Sequence, residues 1–279
     1  MTDHTRLKTL ENNHRQINAD KGGWVVGEAV YNHGMNMMTE LVGHHTWFET
    51  MLLNITGRLP EKRLAQWIEG FFVTISWPDP RIWCNHVGAL AGSYRTDPVS
   101  AVTAGSLASA SRLYGANVVK PCADFIIHAT QLLNSGHSVD AVIEQQLTKN
   151  AKTARGKPAI PGYSRPVATG DERIPALREL ARKLGLEERE HERNAFQIEA
   201  RLLSQYQEAM NVGGYAAAFM TDYGYSPKEI YRLCALLVNS GVQACYAEYA
   251  DKPSGSFLPE KCADIEYTGP AIRSLADIR

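Results

Sequence analysis

Residues 160–173 read IPGYSRPVATGDER, a stretch rich in proline and glycine that leads to an acidic residue, Asp171. The stretch closes a run with no carboxylate after Glu144, in which every charged side chain is basic. The basic residues are Lys149, Lys152, Arg155, Lys157 and Arg165. Such a run is either a solvated loop or an anion site, since glycines let a backbone approach a ligand closely.

The composition of the chain excludes several classes of protein. Its 279 residues include 29 basic and 30 acidic ones, for a formal net charge of −1. This balance provides no long-range field for nucleic acid or an anionic membrane, so we expect neither as a partner. Five cysteines without a CxxC pair predict reduced thiols in a cytoplasmic protein. The polar N-terminus and the lack of a long apolar run predict neither a secretory leader nor a membrane helix.

Apolar residues recur at helical spacing over most of the chain, which predicts an all-α fold of roughly ten helices. Residues 1–22 are polar and aperiodic, and we expect them to form an arm. The helix at 61–77 carries an apolar face of Leu64, Trp67, Ile68, Phe71 and Phe72. Residues 98–116 are crowded with alanine, serine and glycine, which predicts a tightly packed central helix. Further helices are predicted at about 118–134, 138–150, 171–184, 187–210, 213–223 and 227–249.

The usual catalytic motifs are absent from the sequence. It contains no GxGxxG after a strand, no P-loop, no HExxH and no GxSxG. The residues alone therefore predict an all-α protein with a basic, glycine-rich loop before an acid, without assigning a reaction.

Two regions resemble the citrate synthase family. The 61–77 helix and the small-residue helix from Pro98 to Asn117 are similar to the central region of that family. Residues 160–173 resemble its signature, PGxGHxVxxxxDPR, with one residue fewer between Val167 and the aspartate. The chain is shorter than typical citrate synthases and is similar in length to citryl-CoA lyases and the citrate-synthase-like module of ATP-citrate lyase.

The resemblance implies a citrate-synthase-like fold with two helical domains. Residues 23–90 and 183–279 would form the large domain, and 91–182 the small one. It also implies a homodimer that closes over a coenzyme A thioester as substrate, without a metal.

The resemblance also implies a catalytic set. Asp171 takes the position of the aspartate that removes a proton α to the thioester, although it also suits the N-cap of the following helix. Arg165 replaces the signature histidine, and Tyr114 stands where citrate synthases have another histidine. Either side chain is expected to polarise a carbonyl. His86 is the histidine near the reconstructed cleft, with a core histidine as the alternative.

Four residues are expected to bind coenzyme A through its phosphates. They are Arg155, Lys157 and the backbone of Gly162 and Tyr163.

The acceptor half of the site departs from the family. Its carboxylate-binding arginines are replaced near Val238 and at Pro259, so oxaloacetate is not the expected partner. We expect an enzyme that forms or cleaves a carbon–carbon bond next to an acyl-CoA thioester, in the manner of citryl-CoA lyase. The alternative is a non-catalytic subunit that binds acyl-CoA or pairs with an active homologue.

Overall fold

The computed structural model describes residues 3–12, 14, 18–111, 115–149, 159–165, 168–271 and 273–274. Three of the predicted site residues, Tyr114, Arg155 and Lys157, lie outside these ranges. Within them, helices dominate and strands are few, which confirms the all-α class. No helix of the described residues has the length and apolar character needed to cross a membrane.

Twelve α-helices lie in the residues that the structure describes. The first six are α1 Asp3–Asn12, α2 Trp47–Thr56, α3 Lys62–Ile75, α4 Trp83–Ser93, α5 Pro98–Ser109 and α6 Ala116–Asn134. The next six are α7 Val139–Lys149, α8 Arg173–Lys183, α9 Glu190–Tyr206, α10 Val212–Asp222, α11 Pro227–Leu233 and α12 Asn239–Ala250. A π-helix spans Met37–Leu41, and short 3-10 helices span Cys234–Leu236 and Cys262–Asp264.

A small antiparallel sheet follows the N-terminal helix, where the sequence showed almost no alternation. Its strands are β1 Gly22–Val25, β2 Ala29–Asn32 and β3 Met35–Asn36, in the order β1-β2-β3. All four residues of β1 are exposed, so no buried face imposes a period of two on its sequence.

The chain packs as two compact units. The first comprises Met1–Ile75 and Ala110–Leu237, and the second comprises Ser76–Ser109 and Val238–Arg279. These boundaries are set by packing and differ from those of the predicted large and small domains, which stay a prediction.

The core of the first unit is built around Trp67 of α3, as its apolar face predicted. Its ring is fully buried and stacks on Phe219 of α10, with the ring centroids 3.6 Å apart. The indole N–H donates to the carbonyl of Leu177 on α8 over 3.1 Å, so the one polar atom of this side chain is satisfied. Trp67 thereby joins helices α3, α8 and α10.

The second unit consists mainly of α4, α5 and α12. A Cβ at Gly92 of α4 would lie 2.3 Å from the carbonyl oxygen of Tyr246 on α12, so glycine permits this close helix contact. The small-residue segment forms α5 as expected, and its packing is tight where it is buried: a Cβ at Gly105 would lie 2.4 Å from Val242 Cγ1. The expectation of a central helix was wrong, because only Ala101, Gly105 and Ser109 of α5 are buried.

The predicted helix at 227–249 is divided. α11 ends at Leu233, a 3-10 turn follows, and α12 begins at Asn239. The break lies at the boundary between the two units, because residues up to Leu237 pack in the first and those from Val238 in the second.

Candidate functional site

The signature turn is built on backbone contacts. Tyr163 N–H donates to the carbonyl of Ile160 over 3.1 Å, and Gly162 between them has a φ of +86° that favours glycine. Tyr163 also forms a β-bridge with Met210, which precedes α10. The turn therefore lies against the N-terminal end of α10.

Two glycines make this contact close. A Cβ at Gly214 of α10 would lie 2.4 Å from the carbonyl oxygen of Gly162, and a Cβ at Gly162 would lie 2.8 Å from the Cα of Gly214. Neither position has room for a side chain, so the two backbones touch.

Asn211 links the turn to α10 and was not predicted as a site residue. Its backbone N–H donates to the carbonyl of Gly162 over 2.9 Å. Its side-chain amide donates to the carbonyl of Ser164 over 3.0 Å, while its Oδ1 accepts from Gly214 N–H over 3.0 Å as the helix N-cap. The sequence signal was a helix-capping asparagine before a glycine pair, which does not reveal the second contact, 47 residues away.

Ser164 holds a strained backbone conformation. Its φ is 146°, in a region that non-glycine residues rarely adopt. The citrate synthase signature has glycine at this position. The turn thus keeps a glycine-like backbone although its sequence has serine.

Ser164→Gly is expected to raise the free energy of unfolding by about 1 kcal/mol, since glycine adopts this φ without strain. Urea denaturation of the purified protein measures the change. Ser135→Gly is the matched control, because Ser135 has an ordinary φ of −86° and glycine there relieves nothing. Equal or lower stability of Ser164→Gly relative to wild type would contradict the strain.

Asp171 is a fully buried, fully paired carboxylate. Oδ1 accepts from Arg173 Nε over 2.7 Å, and Oδ2 accepts from Arg173 Nη2 over 2.7 Å and from Val212 N–H over 2.8 Å. Burial alone raises the pKa of Asp171, but the hydrogen bonds from Arg173 and Val212 outweigh it and leave the pKa below its usual value. The group is therefore ionised at neutral pH, with both oxygens held by donors.

Arg165 lies beside the carboxylate of Asp171 but forms its ion pair with Glu172. Its guanidinium Nη1 is 3.9 Å from Asp171 Oδ1, and the guanidinium forms a bidentate ion pair with the exposed Glu172. Hydrogen bonds from Arg165 lower the pKa of Glu172 to about 2, so the pair stays charged.

Asp171 also lines a cavity of about 670 Å³ between α8 and α9. Arg178 of α8 crosses it, with its guanidinium carbon 4.5 Å from the ring centre of Phe196 and Nη2 3.1 Å from Glu188. Glu192 and Glu199 of α9 face the same space. The lining combines two arginines, Arg178 and Arg182, with several carboxylates.

Glu192 is the most unusual of these carboxylates. Only 4% of the residue is exposed, and its nearest cation, Arg178 Nε, is 3.9 Å away. Burial raises the pKa of Glu192 to about 7; Tyr215 and Arg178 oppose the rise, while the carboxylates of Glu188 and Asp222 add to it. In the sequence Glu192 looks like an ordinary charge on a helix surface, so periodicity did not single it out.

Glu192→Gln is expected to remove a loss of stability at alkaline pH. Because the folded pKa is raised from 4.5 to about 7, the folded protein is favoured below pH 4.5, and this advantage is lost as pH rises through 7. The difference amounts to on the order of 3 kcal/mol. Urea denaturation at pH 5 and pH 8.5 should show a smaller decline for the variant.

The control for this measurement is Glu179→Gln, since the Arg182 pair on the surface lowers the pKa of Glu179 to about 2. That variant should retain the alkaline loss of wild type. An unchanged pH dependence in Glu192→Gln would contradict the buried, protonated state.

The other predicted side chains that the structure describes, those of Tyr163 and His86, have contacts of their own. Tyr163 is buried, and its hydroxyl donates to the carbonyl of Ala195 over 2.9 Å, so this side chain belongs to the core. His86 belongs to the second unit, where its Nδ1 is 3.2 Å from the carbonyl of Pro80 and its ring meets Phe257 edge-on. Among the described residues, no group of three histidine, cysteine or acidic side chains is placed to hold a metal ion.

Comparison with known sequences finds no relative. No protein-family model matches the chain, and no curated protein is significantly similar in sequence.

Comparison with solved structures finds clear likeness. The citryl-CoA lyase from Hydrogenobacter thermophilus superposes with a TM-score of 0.77 at 22% identity, over 94% of this chain and 98% of that one. The ATP citrate lyase from Methanothrix soehngenii, solved with citrate and coenzyme A, gives 0.74 at 18% identity over all of this chain but 46% of its own. Citrate synthase from Thermotoga maritima gives 0.56 at 16% identity, over 81% and 58% of the two chains. The chain therefore has the fold of the citrate synthase superfamily, at the length of the citryl-CoA lyase.

Proposed function

We propose that the chain is an acyl-CoA enzyme that forms or cleaves a carbon–carbon bond next to the thioester, in the manner of citryl-CoA lyase. The observation that carries the proposal is Asp171, a buried and ionised carboxylate at the position of the signature aspartate. The fold, which extends over nearly the full length of both this chain and the citryl-CoA lyase, supports it.

The proposed reaction needs a base and an electrophilic partner for an oxyanion. In the direction of condensation, Asp171 takes a proton from the α-carbon of the thioester, and the resulting enolate attacks a carbonyl carbon. The carbonyl oxygen becomes an alkoxide and takes a proton from solvent, while Asp171 releases to solvent the proton that it removed. The sum is one new carbon–carbon bond with no net gain or loss of atoms. Cleavage is the reverse. Arg165 or Tyr114 stabilises the oxyanion, since cations and phenols positioned in advance do so most effectively.

The carbonyl partner is proposed to carry less charge than oxaloacetate. Val238 is buried where the family places an arginine, and Pro259 replaces a second one. An unpaired carboxylate in a closed site is costly, so a dicarboxylate would lack its counter-charges.

Calorimetric titration with coenzyme A, followed by hydrogen–deuterium exchange at the α-carbon of a panel of acyl-CoA thioesters, tests the proposal. Binding with exchange supports it. If the chain shows no coenzyme A binding and no α-carbon exchange, the proposal is refuted. Steady turnover of acetyl-CoA with oxaloacetate would refute the inference about the partner.

A non-catalytic acyl-CoA-binding or partner subunit is the second candidate. It is favoured by the pairing of Asp171 with Arg173 and of Arg165 with Glu172, which occupies two of the four predicted catalytic residues. Coenzyme A binding without any α-carbon exchange would support this candidate over the enzyme.

The proposal includes a homodimer in the cytoplasm that acts on small acyl-CoA molecules. For the dimer, the supporting feature is α5, where Val99 and Leu107 lie eight residues apart and are 74% and 71% exposed. Sedimentation of wild type and of Leu107→Glu tests it; a monomeric wild type contradicts it. For the compartment, the supporting feature is that all five cysteines are free thiols.

A further inference from the structure

The two residues before and at the start of α10 contact both functional parts of the signature. Asn211 binds the turn through the carbonyls of Gly162 and Ser164, at 2.9 and 3.0 Å. Val212 binds the carboxylate of Asp171 through its N–H, at 2.8 Å. The position of the proposed base relative to the proposed coenzyme A turn is therefore set through one short backbone segment.

The contact with Ser164 differs in kind from the others. Ser164 has a φ of 146°, so its backbone tends to relax toward an ordinary conformation unless its surroundings prevent it. The hydrogen bond from Asn211 Nδ2 is made to the carbonyl of this same residue. It opposes the relaxation at the place where the strain is stored.

We infer that Asn211 is a positioning residue, which holds the Gly162–Arg165 turn in register with Asp171 for the proposed acyl-CoA chemistry. The inference rests on the proposed function for its role in turnover, and on geometry alone for its role in holding the turn.

The two functions of the Asn211 side chain reside on different atoms. Oδ1 caps α10 through Gly214 N–H, and Nδ2 holds the turn through Ser164. Serine and aspartate cap helices about as well as asparagine, but neither has an amide to donate. Asn211→Ser therefore removes the contact with the turn and keeps the cap, and Asn211→Asp adds repulsion between a carboxylate and the Ser164 carbonyl.

Hydrogen–deuterium exchange measures the turn directly, without any assumption about activity. In Asn211→Ser the amides of the segment 159–165 are expected to exchange at least tenfold faster than in wild type. In Ser226→Ala, which removes the N-cap of α11 in the same unit, they should exchange at the wild-type rate. Unchanged exchange in Asn211→Ser would overturn the inference.

Kinetics on the acyl-CoA that shows α-carbon exchange tests the role in turnover. A displaced base lowers kcat, so we expect about a 10- to 100-fold loss for Asn211→Ser and a larger one for Asn211→Asp, with KM changing less. Ser226→Ala should keep wild-type kcat. If Asn211→Ser behaves like Ser226→Ala, the positioning role is wrong.

A double variant separates positioning from simple loss of stability. Glycine at 164 adopts the turn conformation without strain. In a Ser164→Gly background, the effect of Asn211→Ser on amide exchange of the turn and on kcat should therefore shrink to less than about threefold. A defect of equal size in both backgrounds would overturn the inference. Inactivity of wild type on every thioester would instead refute the proposed function. The amide exchange of the segment 159–165 would still decide whether Asn211 holds the turn.

Discussion

Asp171→Asn is expected to abolish hydrogen–deuterium exchange at the α-carbon of the acyl-CoA substrate and to lower kcat at least 100-fold. An amide cannot take the proton, and general base catalysis by a positioned group typically contributes a factor of this size or more. The substitution keeps the shape of the side chain and leaves an oxygen for the Val212 N–H. Coenzyme A affinity, measured by calorimetry, should change less than fivefold.

The resting contacts of Asp171 give this prediction a second part, in its pH dependence. With its pKa held below the ordinary aspartate value by Arg173 and the Val212 N–H, which outweigh burial, the carboxylate stays ionised as the solution is acidified. The acid limb of kcat/KM for wild type should therefore lie below the usual aspartate range, and activity should be flat between pH 5 and pH 7 as far as this group decides it. An acid limb near pH 6 would point to another base, such as Glu192.

Loss of stability is the competing explanation for an inactive Asp171→Asn, because Arg173 loses its partner. Removing one partner of a buried ion pair typically costs about 3–5 kcal/mol. Asp222→Asn is the matched control: this carboxylate is also buried and accepts two backbone N–H groups, from His191 and Glu192, at the start of α9. If both variants lose similar stability and only Asp171→Asn loses α-carbon exchange, the loss of activity results from the missing base and not from instability. Retained exchange in folded Asp171→Asn would remove Asp171 from the mechanism.

The elements that the sequence predicted well are those whose signals are local. The face of α3, with Leu64, Trp67, Ile68 and Phe71, is buried as its periodicity indicated. α11 starts at Pro227 as predicted, and Ser226 caps it. Periodicity failed at 227–249, since an apolar stripe does not specify which of two cores it enters, and the chain changes core near Leu237.

The site was predictable in its parts but not in its connections. The signature pointed to Asp171 and Arg165, yet their present partners, Arg173 and Glu172, depend on how the turn folds. Asn211 contacts a residue 47 positions earlier, which no local pattern encodes. Glu192 differs from an exposed helical glutamate only in its burial, and its neighbours Tyr215 and Asp222 lie on another helix, α10.

Gly214→Ala is expected to separate the signature turn from α10 and to lower the free energy of unfolding by about 3 kcal/mol. The new Cβ would lie 2.4 Å from the carbonyl oxygen and 2.7 Å from the Cα of Gly162, and both are backbone atoms that cannot move aside alone. The turn must shift, which lengthens the Asn211 contacts to Gly162 and Ser164. Thermal unfolding and coenzyme A titration measure the two consequences, and we expect at least a tenfold loss of affinity.

Gly213→Ala is the control that the chain itself offers, one residue earlier on the same helix. Its Cβ would approach only the Oδ1 of Asn211, at 3.2 Å, and no backbone atom of the turn. Because alanine is favoured over glycine within helices by about 1 kcal/mol, this variant should be close to wild type in stability and in coenzyme A affinity. Equal behaviour of the two variants would mean that the turn tolerates a side chain at its contact with α10. The close backbone contact would then not be what holds the turn beside Asp171.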